Sequence, residues 1–339
     1  MGWCPWRRGG GLVSASLLSL GGTMLAGPGE AANSVSATSS EEAAVLTAGH
    51  ATVARVDAES GEILAVLPTG PDPLLLCIAA RQVWTMNFGD GTLTRVEPAT
   101  AAATTLDVGE AVAIACDGDD VWVARNGNEL ARLNGVTGDE ETVLRLGDEP
   151  LFALRHAGFV AIAGGSVWLT VPARDARFSE ALWRIDPLGG NVLATIAIGA
   201  EPLVPLADGD YLWVVTTDDQ GLTRIDIDTN EAVAVDVDRF PWSHAAGDGS
   251  MWIGHHVVPK VVRLDPHTLE VLAEVPLEAD PRGLAFGGGR LWVTTESALL
   301  TIDPTTEAVT RTIRFGPFPR ETGLTGVAYL DGVVWVSIE

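Results

Sequence analysis

Short apolar runs, each closed by turn-forming residues, follow one another along the chain from about residue 51 to its end. Residues 281–315 contain one complete set of four: PRGLAF, RLWVTT, ALLTIDP and AVTRTIRF, with turns such as GGG and TTE between them. Short β-branched runs bounded by Gly, Asp and Pro are typical of β-strands. After residue 32 no stretch keeps an apolar period of 3.6 residues, so the pattern predicts strands throughout and no long helix.

Two short motifs repeat with these runs at a spacing of about 40 residues. The second strand of each set carries a tryptophan: Trp84, Trp122, Trp168, Trp213, Trp252, Trp292 and Trp335. The third strand carries Arg-x-Asp or a variant of it: Arg55–Asp57, Arg95–Glu97, Arg132–Asn134, Arg184–Asp186, Arg224–Asp226, Arg263–Asp265 and Thr301–Asp303. Four strands in about 40 residues are typical of one blade of a β-propeller. The sequence therefore predicts an all-β, seven-bladed β-propeller of four-stranded blades over residues 51–339.

The two chain ends complete the ring. The chain enters the repeats with a third and a fourth strand, TVARVDA and EILAVLPTG, and leaves with a first and a second, GLTGVAYL and VVWVSIE. Neither pair can satisfy its sheet hydrogen bonds alone. We therefore expect the last blade to be closed by two strands from each terminus, which leaves the ring without an open edge.

The repeated tryptophan and aspartate have structural explanations. We expect the tryptophan to fill the wedge between adjacent blades. The aspartate, followed by proline at Asp186, Asp265 and Asp303, starts the tight turn into the fourth strand. Residues present in every blade indicate architecture rather than catalysis.

Composition narrows the classes of partner. Apolar residues make up 47% of the 339 residues and supply a sizeable core, while the formal net charge is −24. Lys260 is the only lysine among 21 basic residues. Because phosphate binding needs clustered Lys and Arg, we expect no nucleic-acid partner. An anionic membrane surface would also repel so acidic a protein.

The first 50 residues differ from the rest. Residues 1–32 have the layout of a secretory signal peptide: Arg7 and Arg8, an apolar stretch from Leu12 to Ala26, then small residues. The apolar stretch is too short and too rich in Gly and Ser to span a bilayer. Residues 33–50 form a polar linker. We expect a secreted or periplasmic protein that does not span the membrane, by an export route that the sequence leaves open.

Cysteines are few. Cys4 leaves with the signal peptide, whereas Cys77 and Cys116 fall in neighbouring repeats. An oxidising compartment permits a disulfide between them, and two buried thiols are the other interpretation. Two thiols are too few for a metal site.

The loops fall into two classes. Turns between the first and second strands, and between the third and fourth, are short and uniform, and they lie on one end of the propeller, the stereotyped face. Turns between the second and third strands and the connections between blades vary, and they lie on the other end, the variable face. Function concentrates on variable loops held by a rigid scaffold. The variable face, with the channel mouth there, is the candidate binding surface.

Three segments of the variable face carry arginine. The loop after Trp168 contains Arg174 and Arg177, the connection 147–158 contains Arg155 and His156, and residues 314–322 contain Arg314 and Arg320 beside two phenylalanines. A positive rim on an acidic protein would suit an acidic or aromatic ligand, and Arg320 is a candidate ligand-binding residue. The other interpretation is that these arginines are ordinary loop residues without a binding role.

The fifth blade has the largest cluster of residues that could bind a ligand or a metal ion. It contains Trp242, His244, His255 and His256, and Arg282 follows in the next blade. His244 stands at a first-strand position where other units have an aliphatic residue, so we expect it near the channel. Three imidazoles would suit zinc, but no carboxylate or Cys stands at a matching spacing, and the adjacent His255 and His256 point in opposite directions. Two roles remain possible for these His and Trp residues: they line a ligand-accessible channel mouth, or they pack without a binding role. We predict no metal site.

No motif indicates a cofactor or a catalytic centre. The chain lacks G-x-S-x-G, G-x-x-x-x-G-K-[ST], H-E-x-x-H and CxxCH. We therefore expect no cofactor, and nothing singles out a catalytic pair among the acidic residues.

The repeated unit P-x-x-[LIV]-A-x-x-x-[GD]-x-[LV]-W-V, followed by R-[IV]-D-P and T-I-x-[IV]-G, resembles the YVTN/YncE-like family of bacterial β-propellers over residues 51–339. Members of that family are mostly exported binding or interaction proteins. The resemblance implies a non-enzymatic propeller, expected to be a monomer, that binds a ligand or protein partner on its variable face and channel mouth. A scaffold within a larger envelope or secreted assembly is a further hypothesis.

The repeats are also similar to those of the streptogramin B lyases, which are seven-bladed and carry similar R-I-D-P strings. That family places a His after the loop Pro of one blade and a Glu past the Trp strand of that blade, with a magnesium ion. The matching positions of the sixth blade are Arg282 and Glu296, and those of the fifth are Trp242 and His256. Arginine cannot serve as a general base. Because Arg282 stands where the lyases have their His, a metal-assisted lyase or hydrolase at the channel mouth is kept only as the alternative function.

Overall fold

A computed structural model describes residues 51–146, 159–171, 181–199, 202–216, 221–238, 240–318 and 323–339. These ranges contain strands β1 to β28, arranged in seven four-stranded antiparallel sheets. The predicted all-β, seven-bladed propeller is confirmed. Within the same ranges, no helix has the length and apolar character needed to cross a membrane.

The blades follow the chain in order. Blade 1 contains β3 (Pro73–Ala79), β4 (Gln82–Asn87), β5 (Thr92–Glu97) and β6 (Ala102–Leu106). Blade 2 contains β7 (Ala111–Asp117), β8 (Asp120–Arg125), β9 (Glu129–Asn134) and β10 (Glu140–Arg145). Blade 3 contains β11 (Val160–Ala163), β12 (Ser166–Val171), β13 (Ala181–Ile185) and β14 (Val192–Ala197). Blade 4 contains β15 (Pro202–Asp208), β16 (Tyr211–Thr216), β17 (Gly221–Asp226) and β18 (Ala232–Asp236).

The remaining blades include the one built from both chain ends. Blade 5 contains β19 (Pro241–Gly247), β20 (Ser250–His255), β21 (Lys260–Leu264) and β22 (Val271–Pro276). Blade 6 contains β23 (Gly283–Gly287), β24 (Arg290–Thr294), β25 (Ala298–Asp303) and β26 (Ala308–Arg314). Blade 7 contains β27 (Leu324–Leu330), β28 (Val333–Ile338), β1 (Thr52–Asp57) and β2 (Ile63–Pro68).

The first strands form the inner wall of the ring. Each contacts the first strands of both neighbouring blades, and β27 contacts β3 to complete the circle. In blade 7, β1 runs antiparallel to β28, with Thr52 opposite Ile338 and Asp57 opposite Val333. The predicted closure by two strands from each terminus is therefore present.

The core lies between the blades. The seven motif tryptophans are 0–4% exposed, as expected for side chains that fill the wedges between blades. In four of the blades, the motif arginine donates to a main-chain carbonyl of the next blade. Arg95 donates to Val136 O, Arg184 Nη1 lies 2.7 Å from Ile227 O, Arg224 Nη1 lies 2.8 Å from Pro266 O, and Arg263 Nη1 lies 2.7 Å from Pro304 O. The motif therefore joins neighbouring blades as well as shaping its own.

The motif aspartate organises the turn, as predicted. Asp265 Oδ1 accepts hydrogen bonds from the backbone N–H groups of His267, at 2.8 Å, and Thr268, at 2.9 Å. These bonds, first that of Thr268 and then that of His267, lower the pKa of the Asp265 carboxyl. A carboxylate that accepts two backbone donors is favoured in its ionised form.

Hydroxyl groups and a disulfide join neighbouring inner strands. Thr325 Oγ1 in blade 7 donates to the carbonyl of Pro73 in blade 1 at 2.8 Å. Thr294 in blade 6 donates to the carbonyl of Thr325 at 2.6 Å. Cys77 on β3 and Cys116 on β7 form a disulfide across the boundary between blades 1 and 2. Of the two interpretations that the sequence left open, the disulfide is the one found.

Candidate functional site

The variable face is where second strands end and first strands begin, and the candidate residues of blades 5 and 6 lie there or on the adjoining inner wall. Several predicted residues fall outside the described ranges. These are Arg155 and His156, Arg174 and Arg177, and Arg320. The hypothesis of a positive rim around them stays a prediction.

His244 lies on the inner wall, as predicted. It stands opposite Ile253, the same register position that Leu284 occupies opposite Val293 in blade 6. Its Nε2 atom is enclosed and has no hydrogen-bond partner among the described residues, although the residue keeps some exposed surface. Burial lowers the pKa of the imidazole to about 4, opposed by a hydrogen bond with the Trp213 backbone. His244 is thus a neutral side chain packed against blade 4.

His255 and His256 have opposite environments, as their positions at a strand end predict. His255 is 1% exposed and stands opposite Lys260 in the sheet. The Lys260 ammonium group donates to Asp238 at 3.2 Å and to Glu274 at 3.0 Å. Burial opposes the charge of Lys260, but these two bonds outweigh it and raise the pKa of the ammonium group. His255 therefore belongs to a buried polar seam.

Trp242 and His256 come together on the surface. Their rings stack at a centroid distance of 5.1 Å and an interplanar angle of 25°. Nδ1 of His256 lies 3.4 Å from Oδ2 of Asp280, in the connection to blade 6, and its side chain is 46% exposed. The backbone N–H of His256 donates to the carbonyl of Phe240 at 3.2 Å, which ties the turn after β20 to the connection before β19.

Three exposed apolar side chains adjoin this stack. Phe240 is 44% exposed, Val257 is 61% exposed and Val258 is 60% exposed. We call Phe240, Trp242, His256, Val257 and Val258 the blade-5 patch. Sequence reasoning missed Phe240 and the two valines. The available signal was the turn HHVVPK, which carries two adjacent valines, whereas the corresponding turn of blade 1, NFGDGT, has one apolar residue and that of blade 2, RNGNE, has none.

Arg282 and Glu296 lie one blade further on. The backbone N–H of Arg282 donates to Thr294 O at 2.7 Å, and its guanidinium Nη1 donates to Leu324 O in blade 7 at 3.3 Å. A Cβ atom added at Gly323 would lie 2.9 Å from that Nη1 atom and 2.6 Å from the carbonyl of Glu296. The Glu296 side chain is exposed. Arg282 therefore braces blade 6 against blade 7.

The candidate residues do not form one constellation. Trp242 and His256 are joined by their stack, whereas His244 is packed against blade 4, His255 is buried within blade 5 and Arg282 faces blade 7. In the part of the chain that the structure describes, no group of three or more His, Cys, Asp and Glu is placed to hold a metal ion.

Comparison with known proteins identifies the architecture. No protein family matches the sequence, and no curated protein is detectably similar to it. Among solved structures, the chain is similar to apo AztD from Citrobacter koseri, with a TM-score of 0.60 and 14% identity over 85% of this chain and 89% of that one. It is also similar to BamB from Moraxella catarrhalis, with a TM-score of 0.52 and 16% identity over 84% of this chain and 90% of that one.

A third structure with the same kind of similarity is the dihydro-heme d1 dehydrogenase NirN in complex with DHE. Its TM-score is 0.54 at 16% identity, over 81% of this chain and 65% of the longer NirN chain. At such identities the three structures support the propeller fold and nothing more specific.

Proposed function

We propose that this protein is an exported, non-enzymatic β-propeller that binds a ligand or a protein partner on its variable face, at the blade-5 patch. The observation that carries the proposal is the adjacency of exposed apolar side chains there. Burying such side chains is favourable by about 25 cal/mol per Å² of apolar surface. Other exposed apolar residues lie in turns of the stereotyped face, such as Val136 and Leu188, or at the starts of the outer fourth strands, such as the pairs Val192–Leu193 and Val271–Leu272. An apolar surface rimmed by polar groups is typical of an interaction site.

Export is supported by two independent features. Residues 1–32 have the charge and apolar pattern of a signal peptide. The disulfide between Cys77 and Cys116 suits an oxidising compartment such as the periplasm or the extracellular space. The resemblance of the repeats to the YVTN/YncE-like propellers agrees with an exported binding protein.

The position of Arg282 supports binding over the lyase alternative. The lyase arrangement needs a proton acceptor at this position, and a guanidinium group has no lone pair to offer. The Arg282 side chain donates to a main-chain carbonyl of the next blade. Its role here is to hold blade 6 against blade 7.

Selective masking of the two faces tests the proposal. Val258→Cys and Leu188→Cys each introduce one reactive thiol, because Cys77 and Cys116 are joined in a disulfide. Each variant, coupled to a maleimide polyethylene glycol, is used to recover bound molecules from an extract of the source cells. We expect the coupled Leu188→Cys protein to retain the partner and the coupled Val258→Cys protein to lose it, as identified by mass spectrometry. Equal recovery by both, or loss only from Leu188→Cys, would contradict the proposal.

A further inference from the structure

Acidic groups surround the blade-5 patch. The described residues of the segments that form the patch and its rim, 236–238, 240–242, 254–260 and 274–282, contain five carboxylates and two permanent cations. The carboxylates are Asp236, Asp238, Glu274, Glu278 and Asp280, and the cations are Lys260 and Arg282; Arg239 lies outside the described residues. The rim is therefore net negative, in keeping with the formal charge of −24 for the whole chain.

Both of the described cations are already engaged within the protein. Lys260 is buried and shared by Asp238 and Glu274, at 3.2 and 3.0 Å. Arg282 donates to the carbonyl of Leu324. A partner therefore meets the exposed Glu278 and the half-exposed Asp280 beside His256. Acidic groups next to an apolar surface favour cations and disfavour other carboxylates or phosphates.

Phe240 has an uncommon backbone conformation. This residue has a φ angle of +64°, and Asp238 in the same connection has a φ angle of +75°. Positive φ is uncommon for residues other than glycine and is most costly for bulky ones. Such conformations persist only where the surrounding structure fixes them, and they cluster at functional sites. Phe240 is 44% exposed, and its carbonyl accepts a hydrogen bond from the backbone N–H of His256 in the stack.

Resting on the proposed function, we propose that the occupant of the blade-5 patch is a basic peptide segment of a partner protein, with aliphatic or aromatic side chains between its Arg or Lys residues. The apolar side chains pack on Phe240, Val257 and Val258. A guanidinium or ammonium group of the peptide lies next to the half-buried Trp242 and pairs with Asp280 or Glu278.

Fluorescence anisotropy with labelled synthetic peptides tests the chemistry of the partner. The probes are a peptide of alternating leucine and arginine, a counterpart with every leucine replaced by serine, and one with every arginine replaced by glutamate. With the full chain at pH 7.5, we expect the leucine–arginine peptide to bind at least about tenfold more tightly than either counterpart, a difference of about 1.4 kcal/mol. Raising the salt concentration weakens that binding.

Variants locate the binding. The double substitution Val257→Ser and Val258→Ser is expected to weaken the binding of the leucine–arginine peptide by at least about tenfold. The double substitution Glu278→Gln and Asp280→Asn is expected to weaken the binding of the same peptide and to reduce the salt dependence of that binding. The matched control is Val136→Ser, an exposed valine on the stereotyped face, which leaves the affinity within about twofold.

Several outcomes would overturn the inference. These are absence of binding by the leucine–arginine peptide, equal binding by either counterpart, and an equal effect of Val136→Ser. Failure of the inference is distinguishable from failure of the proposed function. If masking at Val258 blocks the natural partner but the peptide shows no preference, the site stands and the chemistry assigned to its occupant is wrong. If masking at Leu188 blocks the partner instead, both are wrong.

Discussion

At the scale of single residues, His244 shows how one substitution in a repeat changes the chemistry of a position. In other blades, the same register position holds an aliphatic side chain, such as Ile114 opposite Val123 or Val327 opposite Val336. An imidazole in this place keeps its packing role only while it is neutral. Burial ensures this by lowering its pKa to about 4.

The pKa of His244 makes stability depend on pH in a defined direction. In the unfolded chain the imidazole takes up a proton near its ordinary pKa of 6.5, whereas in the folded protein it does so only near 4. The unfolded state therefore binds the proton first. Stability falls as the pH drops through 6.5, by about 3 kcal/mol in total once the pH reaches 4.

His244→Leu, which copies Leu284 of blade 6, removes this contribution. Between pH 7.5 and pH 5.0, we expect the free energy of unfolding in urea to fall by about 2 kcal/mol more for the natural protein than for the variant. Subtracting the two pH profiles cancels the titration of the shared carboxylates. Identical profiles for the two proteins would show that His244 is accessible to protons in the folded state.

At the scale of the structural element, the third strand of a blade also fixes the position of the next blade. Arg263 on β21 donates to Pro304 O in blade 6 and to Ser250 of its own blade, and it pairs with Asp248 at 3.0 Å. Its guanidinium carbon lies 5.0 Å from the ring centre of Trp252. The arginine and the tryptophan of a blade therefore form one unit.

Arg263→Met tests this unit, because it keeps the aliphatic stem and removes the donors. We expect a loss of about 1.5–3 kcal/mol in the free energy of unfolding, the usual range for hydrogen bonds that involve a charged group. Arg81→Met is the matched control, since Arg81 pairs with Asp331 on the exposed surface and such pairs contribute about 0–1 kcal/mol. Equal losses for the two variants, measured by urea unfolding, would mean that the partly buried contacts of Arg263 contribute no more than the exposed pair of Arg81 and Asp331, which also joins two blades.

At the scale of the whole molecule, closure depends on strands from both ends of the chain. The strands β1 and β2 supply half of blade 7, and the hydroxyl of Thr325 bonds blade 7 to blade 1. Removing residues 51–68 exposes the edge of β28 and uncovers part of the core around Val334 and Val336. Unpaired strand edges also promote association between chains.

We expect a chain lacking residues 51–68 to lose the cooperative unfolding transition or to melt at least about 10 °C lower. A circular permutant is the matched control. Because Thr52 lies opposite Ile338, a short linker can join residue 339 to residue 51, and new ends can open in the exposed turn at Gly288 and Gly289. The measurement is calorimetry of both proteins. We expect the permutant to keep a single thermal unfolding transition near that of the natural protein. A deletion variant as stable as the natural protein would show that the ring does not depend on β1 and β2.

The fold was predictable from the sequence because it depends on repeated local signals. The tryptophans, the Arg-x-Asp strings and the half-blades at the two ends determined the blade number and the closure. The candidate site was less predictable, because it depends on contacts between segments far apart in sequence. Two contacts depend on the packing of blades and on turn conformations that a single repeat does not reveal: Arg282 donates to Leu324 O, and the turn that carries Val257 and Val258 is bonded to Phe240 through the backbone of His256.

The ring built from both chain ends also bears on the order in which the protein is made. Among the described strands, β1 and β2 are synthesised first, but β28, with which β1 pairs, is synthesised last. During synthesis of the six intervening blades, the earliest hairpin has no lasting partner in its own sheet. Blade 7 therefore cannot be assembled until β28 has been made, and the earliest of the described strands are the last to be secured.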